Sequence, residues 1–174
     1  MSWGRPTVCS MRVPDVIPIS HEPGYRTETI GRYDGGQFFA SITYACPDTF
    51  RGGDDWQDHQ RMFVVLHRFD DHGHHTGSDV WSAGTTRDEE RLRGTPDSPL
   101  ARSEARLDEL LDALPGMRFG DIAVRPFEVI VDGLRFGLVL ETHDEDDPDG
   151  PPDWAELYPD QLGFGEPWDG YPQT

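Results

Sequence analysis

Residues 67 to 79, HRFDDHGHHTGSD, hold four histidines and three aspartates in thirteen positions. Imidazoles and carboxylates at that density are the side chains of a zinc or calcium site, so the spacing decides whether they converge. The run lies inside RMFVVLHRFDDHGHHTGSDVWSAG, whose β-branched and aromatic residues flank a glycine-containing turn and read as a hairpin. With His72-Gly73 as a two-residue turn, Val65 faces Val80 and His67 faces Ser78. Phe63, Val65, His67 and Phe69 then share a face with Thr76, Ser78 and Val80, while Val64, Leu66, Arg68 and His75 take the other. His67 and His74 lie on one face but ~13 Å apart at about 3.3 Å per residue. His75 points away. Zinc needs donors converging at about 2 Å from one point, which this register does not supply. The calcium-loop pattern fails too, because placing Gly73 at the obligatory glycine puts Arg68 where the first aspartate belongs. No metal is expected here, and the run reads as a solvated hairpin tip.

A second constellation is HEPGYR, where His21, Glu22, Tyr25 and Arg26 gather beside a turn. Arg26 with Arg125 can clamp an anion while His21 or Glu22 moves a proton. The plainer account is a set of salt bridges and turn hydrogen bonds in an acid-rich chain. A third group is the aromatic set Trp154, Tyr158, Phe164, Trp168 and Tyr171, too many rings for a free tail. These either fold back over a sheet or dock on a partner. Specified catalytic and cofactor motifs are missing: no nucleophile elbow, phosphate loop, HExxH, or GxGxxG after a strand, so no cofactor is expected and the balance leans away from an enzyme.

The elements that must position these groups read as three strand pairs and a helix. YRTETIGRY and QFFASITYA, joined across DGG, form the first pair. The hairpin above is the second. From Ser98 to Leu114, Leu107, Leu110, Leu111 and Leu114 recur at helical spacing, with Ser98 as N-cap, Pro99 at the first helical position, and Pro115-Gly116 as the stop. FEVIVDGLRFGLVL is the third pair. Its Asp132-Gly133 turn sets Phe127 against Leu138, Val129 against Phe136 and Val131 against Leu134 on a core face. The fold class is therefore α+β, a mostly antiparallel sheet with one main helix on a face. Residues 1–18 read as a flexible leader, 19–143 as a single domain, 144–153 as an acidic flexible linker, and 154–174 as the aromatic tail, expected to fold back.

A chain of 174 residues with 33 acidic and 15 basic side chains carries a formal charge of −18. Such a surface repels phosphate backbones, so direct nucleic-acid binding is disfavoured. The same charge suits a basic protein partner or simply confers solubility. Two cysteines, Cys9 and Cys46, make neither a disulfide framework nor a metal spacing, which fits a reduced cytoplasm. No apolar run reads as a signal peptide or a membrane span.

The strings VIPISHEPGYRTETIGRY, GQFFASITYA, LHRFD, GDIAVRPF, VDGLRFGLV and AELYPDQLGF with EPWDG resemble an uncharacterised actinobacterial family labelled formate hydrogenlyase regulatory protein. The resemblance runs from about Val16 to Tyr171. It implies a cytoplasmic regulatory or accessory protein, and no catalytic residue is carried over from it. Gly165 departs from the family, whose members tend to have histidine there. The expected function is a non-catalytic interaction protein acting on a partner through its acidic surface, in the manner of an immunity protein or a nucleic-acid-mimicking inhibitor. The alternatives are a small-molecule or metal-dependent protein centred on His21–Arg26, and a structural subunit of a larger assembly.

Overall fold

The computed structural model describes residues 13–47, 52–142 and 152–173. In chain order the elements are β1 (Ile17–Ile19), β2 (Ile30–Tyr33), β3 (Gly36–Ala45), α1 (Trp56–His59), β4 (Arg61–Phe69), β5 (His75–Thr85), α2 (Thr86–Leu92), α3 (Pro99–Asp112), β6 (Arg118–Phe119), β7 (Ile122–Val124), β8 (Phe127–Val131), β9 (Leu134–Glu141), β10 (Trp154–Tyr158) and β11 (Leu162–Phe164). They form a five-stranded sheet ordered β5-β4-β3-β2-β6, a four-stranded sheet ordered β11-β10-β9-β8, and the small pair β1-β7. Every pairing is antiparallel, so the expected α+β class with a mostly antiparallel sheet holds.

Alternation along β3 and β4 explains the layers. Phe38, Ala40, Val64 and Leu66 leave one face of the five-stranded sheet and meet Leu110, Leu111 and Leu114 of α3 and its C-terminal turn. Phe39, Phe63, Val65 and Phe69 leave the other face. There they pack on Leu134, Phe136, Leu138, Ala155 and Leu157 of the four-stranded sheet. Burying an aromatic or aliphatic side chain of this size contributes about 1.5–3 kcal/mol each, which makes the inter-sheet layer the main stabilising contact.

α3 starts where the sequence places it: Ser98 accepts from the Ala101 N–H, and Pro99 occupies the first helical turn. The β8–β9 register also matches, Phe127 facing Leu138, Val129 facing Phe136 and Val131 facing Leu134.

Four differences matter. Thr86–Leu92, outside the one helix expected from the sequence, is the helix α2, held by a capping box between Thr85 and Asp88. Ile17 and Pro18, assigned to the leader, belong to β1 and pair with Val124 and Ala123. The rest of that leader through residue 12, and 144–151 of the acidic linker, lie outside the described residues. Trp154–Tyr158 and Leu162–Phe164 of the tail are strands, β10 being hydrogen-bonded to β9. Finally, the first strand of the first pair is short. β2 covers Ile30–Tyr33 only, because residues 22–28 fold into successive turns: Gly24 sits at φ +77°, Tyr25 N–H donates to Glu22 C=O at 3.2 Å, and Glu28 N–H to Tyr25 C=O at 3.1 Å.

Candidate functional site

That short β2 leaves room for a cavity. β3 pairs with β4 along Gln37–Ala45, but with β2 only along Gly36–Phe39. Among the described residues no strand covers the other edge of Ser41–Ala45. Over this edge lies a cavity of about 450 Å³ lined by Tyr25, Arg26, Ser41, Thr43, Leu107 and Asp160, among others. The turn between β10 and β11 forms its rim.

The cavity is polar in a specific way. The Thr43 hydroxyl donates to Asp160 Oδ1, and Arg26 Nη1 donates to the Asp160 backbone carbonyl at 3.2 Å. Burial pushes the Asp160 carboxyl above its ordinary range, against the opposing pull of the Thr43 hydrogen bond and the Arg26 charge. Ser41 Oγ, also in the lining, is buried with no hydrogen-bond partner among the described residues. An unsatisfied buried hydroxyl costs about 1–3 kcal/mol, which a ligand atom can recover.

Of the HEPGYR constellation, Tyr25 and Arg26 line this cavity. His21 does not join them: its Nε2 meets Glu28 C=O at 2.9 Å and its ring stacks on Phe119 with centroids 5.7 Å apart. Glu22 lines an adjoining, more open cavity of about 430 Å³ beside Tyr171 and Pro172, on which Tyr25 also borders. Arg125 donates from Nε to His72 C=O at 3.1 Å, at the tip of the β4–β5 hairpin. The sequence grouping of Arg125 with Arg26 as a clamp therefore has no geometric counterpart. Asp160 and Thr43 were missed because nothing local marks them; 117 positions separate them in the chain.

The tail aromatics divide. Phe164 is core, packed with Ile17, Phe39 and Leu138, and so is not available to a docking partner. Trp168 packs against the same cluster. Tyr158 donates to Glu141 Oε1 at 2.7 Å and lies under the Arg135 guanidinium at 5.2 Å; these acidic neighbours, Glu156 foremost, hold its hydroxyl well above its ordinary range. Trp154 is half-buried in β10, and Tyr171 is exposed.

The histidine-rich hairpin keeps its expected register from Phe63 to Arg68 and departs from it at both ends, between Met62 and Phe63 and again between Arg68 and Phe69. Val65 faces Val80 and His67 faces Ser78, but the ladder shifts between Arg68 and Phe69, so Phe69 faces His75. This bulge turns His75 onto the same face as His67, correcting the expectation that it points away. The Ser78 hydroxyl then lies 2.6 Å from His67 Nδ1 and 2.6 Å from His75 Nε2. Phe127 closes over both rings, at 4.8 Å from His67 and 4.7 Å from His75. Burial, helped by the charges of His75 and Arg68, holds the His67 pKa down to about 3, so the ring stays neutral. The cluster is a hydrogen-bond relay within the β4–β5 pair, covered by Phe127 of the other sheet. Among the described residues no group of three or more His, Cys, Asp or Glu converges to hold a metal ion. None of the helices formed by described residues is long and apolar enough to cross a membrane.

No family model, curated protein or solved structure matches the chain, so the reading of its function rests on the geometry above.

Proposed function

We propose that this chain is a non-catalytic interaction protein of the cytoplasm that regulates or neutralises a basic protein partner through its acidic surface. The observation that carries this reading is charge. The chain bears −18, and α3 turns Glu104, Asp108 and Asp112 outward as one exposed stripe at four-residue spacing, with no ion pair to another described residue. Like charges at that spacing cost a helix about 0.2–0.5 kcal/mol per pair in isolation, a cost that a cationic partner offsets. A field of one sign also accelerates encounter with an oppositely charged protein and rejects nucleic acid. The resemblance to a family labelled regulatory points the same way.

The test is capture of partners by the tagged chain from lysate of its source organism, at low and at high salt, with bound proteins identified by mass spectrometry. One basic protein retained at low salt and lost at high salt is the expected result. Capture indifferent to salt, or capture of nothing in either buffer, refutes it.

A second reading, a small polar molecule held between Arg26 and Asp160, draws on the cavity over β3 and its unpartnered Ser41 hydroxyl. Calorimetric titration with small amines and anions, repeated on Arg26→Ala, tests it; no heat from any of them removes it.

A further inference from the structure

The edge of β3 left unpaired among the described residues has the form of a strand acceptor. Ala40 N–H donates to Thr29 C=O at 3.0 Å, so by the alternation of an antiparallel strand the N–H and C=O groups of Ile42 and Tyr44 point to the same side. Beyond Ala40, no described strand receives them. Exposed edges of this kind add an extended chain, or are blunted against doing so. Two cavities lie end to end along this one. The first, of about 450 Å³, reaches from Tyr25 to Asp160; the second, of about 280 Å³, continues past Cys46 to Leu134, and the two share Tyr44 and Pro159. The span from Ser41 to Cys46 is roughly 17 Å at 3.3 Å per residue, the length of an ordinary strand. A groove of that length beside a row of backbone donors and acceptors fits an extended chain better than a compact molecule.

Charge and shape specify the occupant further. A strand laid on this edge alternates its side chains between two environments. One contains Ser41, Thr43 and the Asp160 carboxylate, a group of oxygens with one unpartnered hydroxyl. The other contains Ile42, Leu107 and Tyr44, the last 47% exposed. Glu28 adds a second carboxylate to the lining. Among the described residues of the lining, Arg26 and Arg135 are the cations; Arg26 is bonded to the Asp160 backbone, and Arg135 is paired with Glu128 at 3.1 Å and stacked on Tyr158.

We propose that the Ser41–Cys46 edge of β3 docks an extended segment of a partner protein by strand addition, with a lysine or arginine of that segment reaching the Asp160 carboxylate and alternate apolar residues covering Tyr44 and Leu107. The proposal rests on the basic-partner reading and names the surface that reading requires. The same charge of −18 that attracts such a segment repels a second copy of this chain from the edge.

The test uses the full chain and three capped octapeptides: alternating valine and lysine, alternating valine and glutamate, and the lysine peptide N-methylated at every second amide on its bonding edge. Binding is followed by amide chemical shifts and hydrogen exchange. The lysine peptide is expected to bind at least about tenfold more tightly than the other two, to shift amides of Ser41–Cys46, and to slow exchange at Ile42 and Tyr44 by about tenfold or more. Asp160→Asn is expected to remove the preference for lysine over glutamate while leaving sensitivity to N-methylation.

Lysine-peptide binding that maps elsewhere overturns the groove yet leaves the basic-partner reading standing, since that is decided by the salt-dependent capture. Equal binding of the N-methylated peptide overturns strand addition. Binding of arginine amide as tight as that of the octapeptide overturns it too, in favour of a small-cation site. Absence of binding by all three peptides overturns the groove as a docking site.

Discussion

Acidification from pH 7 to pH 5 is expected to destabilise the fold through His67. The ring is 1% exposed, flanked by Phe39 and Phe127, and its pKa is held down to about 3 against an ordinary value of 6.5. In the unfolded chain the ring takes up a proton as pH falls below about 6.5; in the folded chain it does so only near 3. Between those values the unfolded state binds more protons. Stability from this group is therefore complete above the unfolded pKa and falls with pH through the window, at about 1.4 kcal/mol per pH unit. From 6.5 to 5 the loss is about 2 kcal/mol, a large part of the about 5–15 kcal/mol of a typical domain.

The assay is urea denaturation at pH 7 and pH 5 of the protein and of His67→Gln, whose neutral amide can still meet Ser78. His67→Gln is expected to be less stable at pH 7, because the smaller side chain packs less well against Phe39 and Phe127. It should also lose about 2 kcal/mol less than the parent between the two pH values, because other titrating groups are common to both proteins. Equal losses in the two proteins would refute the assignment, and with it the view that the His67 ring is sealed from solvent.

Ser98→Ala is expected to lower stability by about 1 kcal/mol, since it deletes the hydroxyl that accepts from the Ala101 N–H, and the urea midpoint reads it. Gly137→Ala should cost more, about 2–4 kcal/mol, because the new Cβ would lie 2.2 Å from the Phe127 carbonyl at a backbone φ of +139°. Asp160→Asn is expected to be at least as stable as the parent at pH 7. A carboxyl whose pKa burial raises is destabilising when ionised, and the penalty grows as pH rises through its folded value, so thermal melts at pH 4 and pH 7 should show the variant gaining on the parent at the higher pH. A clear loss of stability at pH 7 would mean that the ionised carboxylate is needed by Thr43 and Arg26.

What the chain discloses locally and what it conceals follow from the range of the interactions involved. The α3 cap and the β8–β9 register rest on neighbours within a few residues, such as Ser98 with Ala101 and Asp132 with Gly133, and those were legible. α2 was not, because its residues TRDEERL offer no apolar stripe and its hold is the capping box of Thr85 and Asp88. The cavity over β3 was half legible. Tyr25 and Arg26 stood out as a polar cluster, but their partner Asp160 arrives from a turn at the far end of the chain, and only the pairing of β10 with β9 brings it there.

The histidine cluster shows how small a local change decides chemistry. Strict two-residue alternation sends His75 and His67 to opposite faces, and every step of that reasoning holds from Phe63 to Arg68. One extra residue on β5, Thr76, accommodated opposite the Arg68–Phe69 step reverses the side for His75, placing its ring 6.2 Å from that of His67 with Ser78 between them. The bulge has no propensity signature in Thr76-Gly77. It is favoured by what it buries: with His75 turned inward, its ring stacks on Phe127 at 18° and meets Phe69, and an unbulged hairpin would hold the ring on the far side of the sheet from both. The side that His75 takes is thus chosen by Phe127, more than fifty residues later in the chain and on the opposite sheet, and no reading confined to the hairpin contains that information.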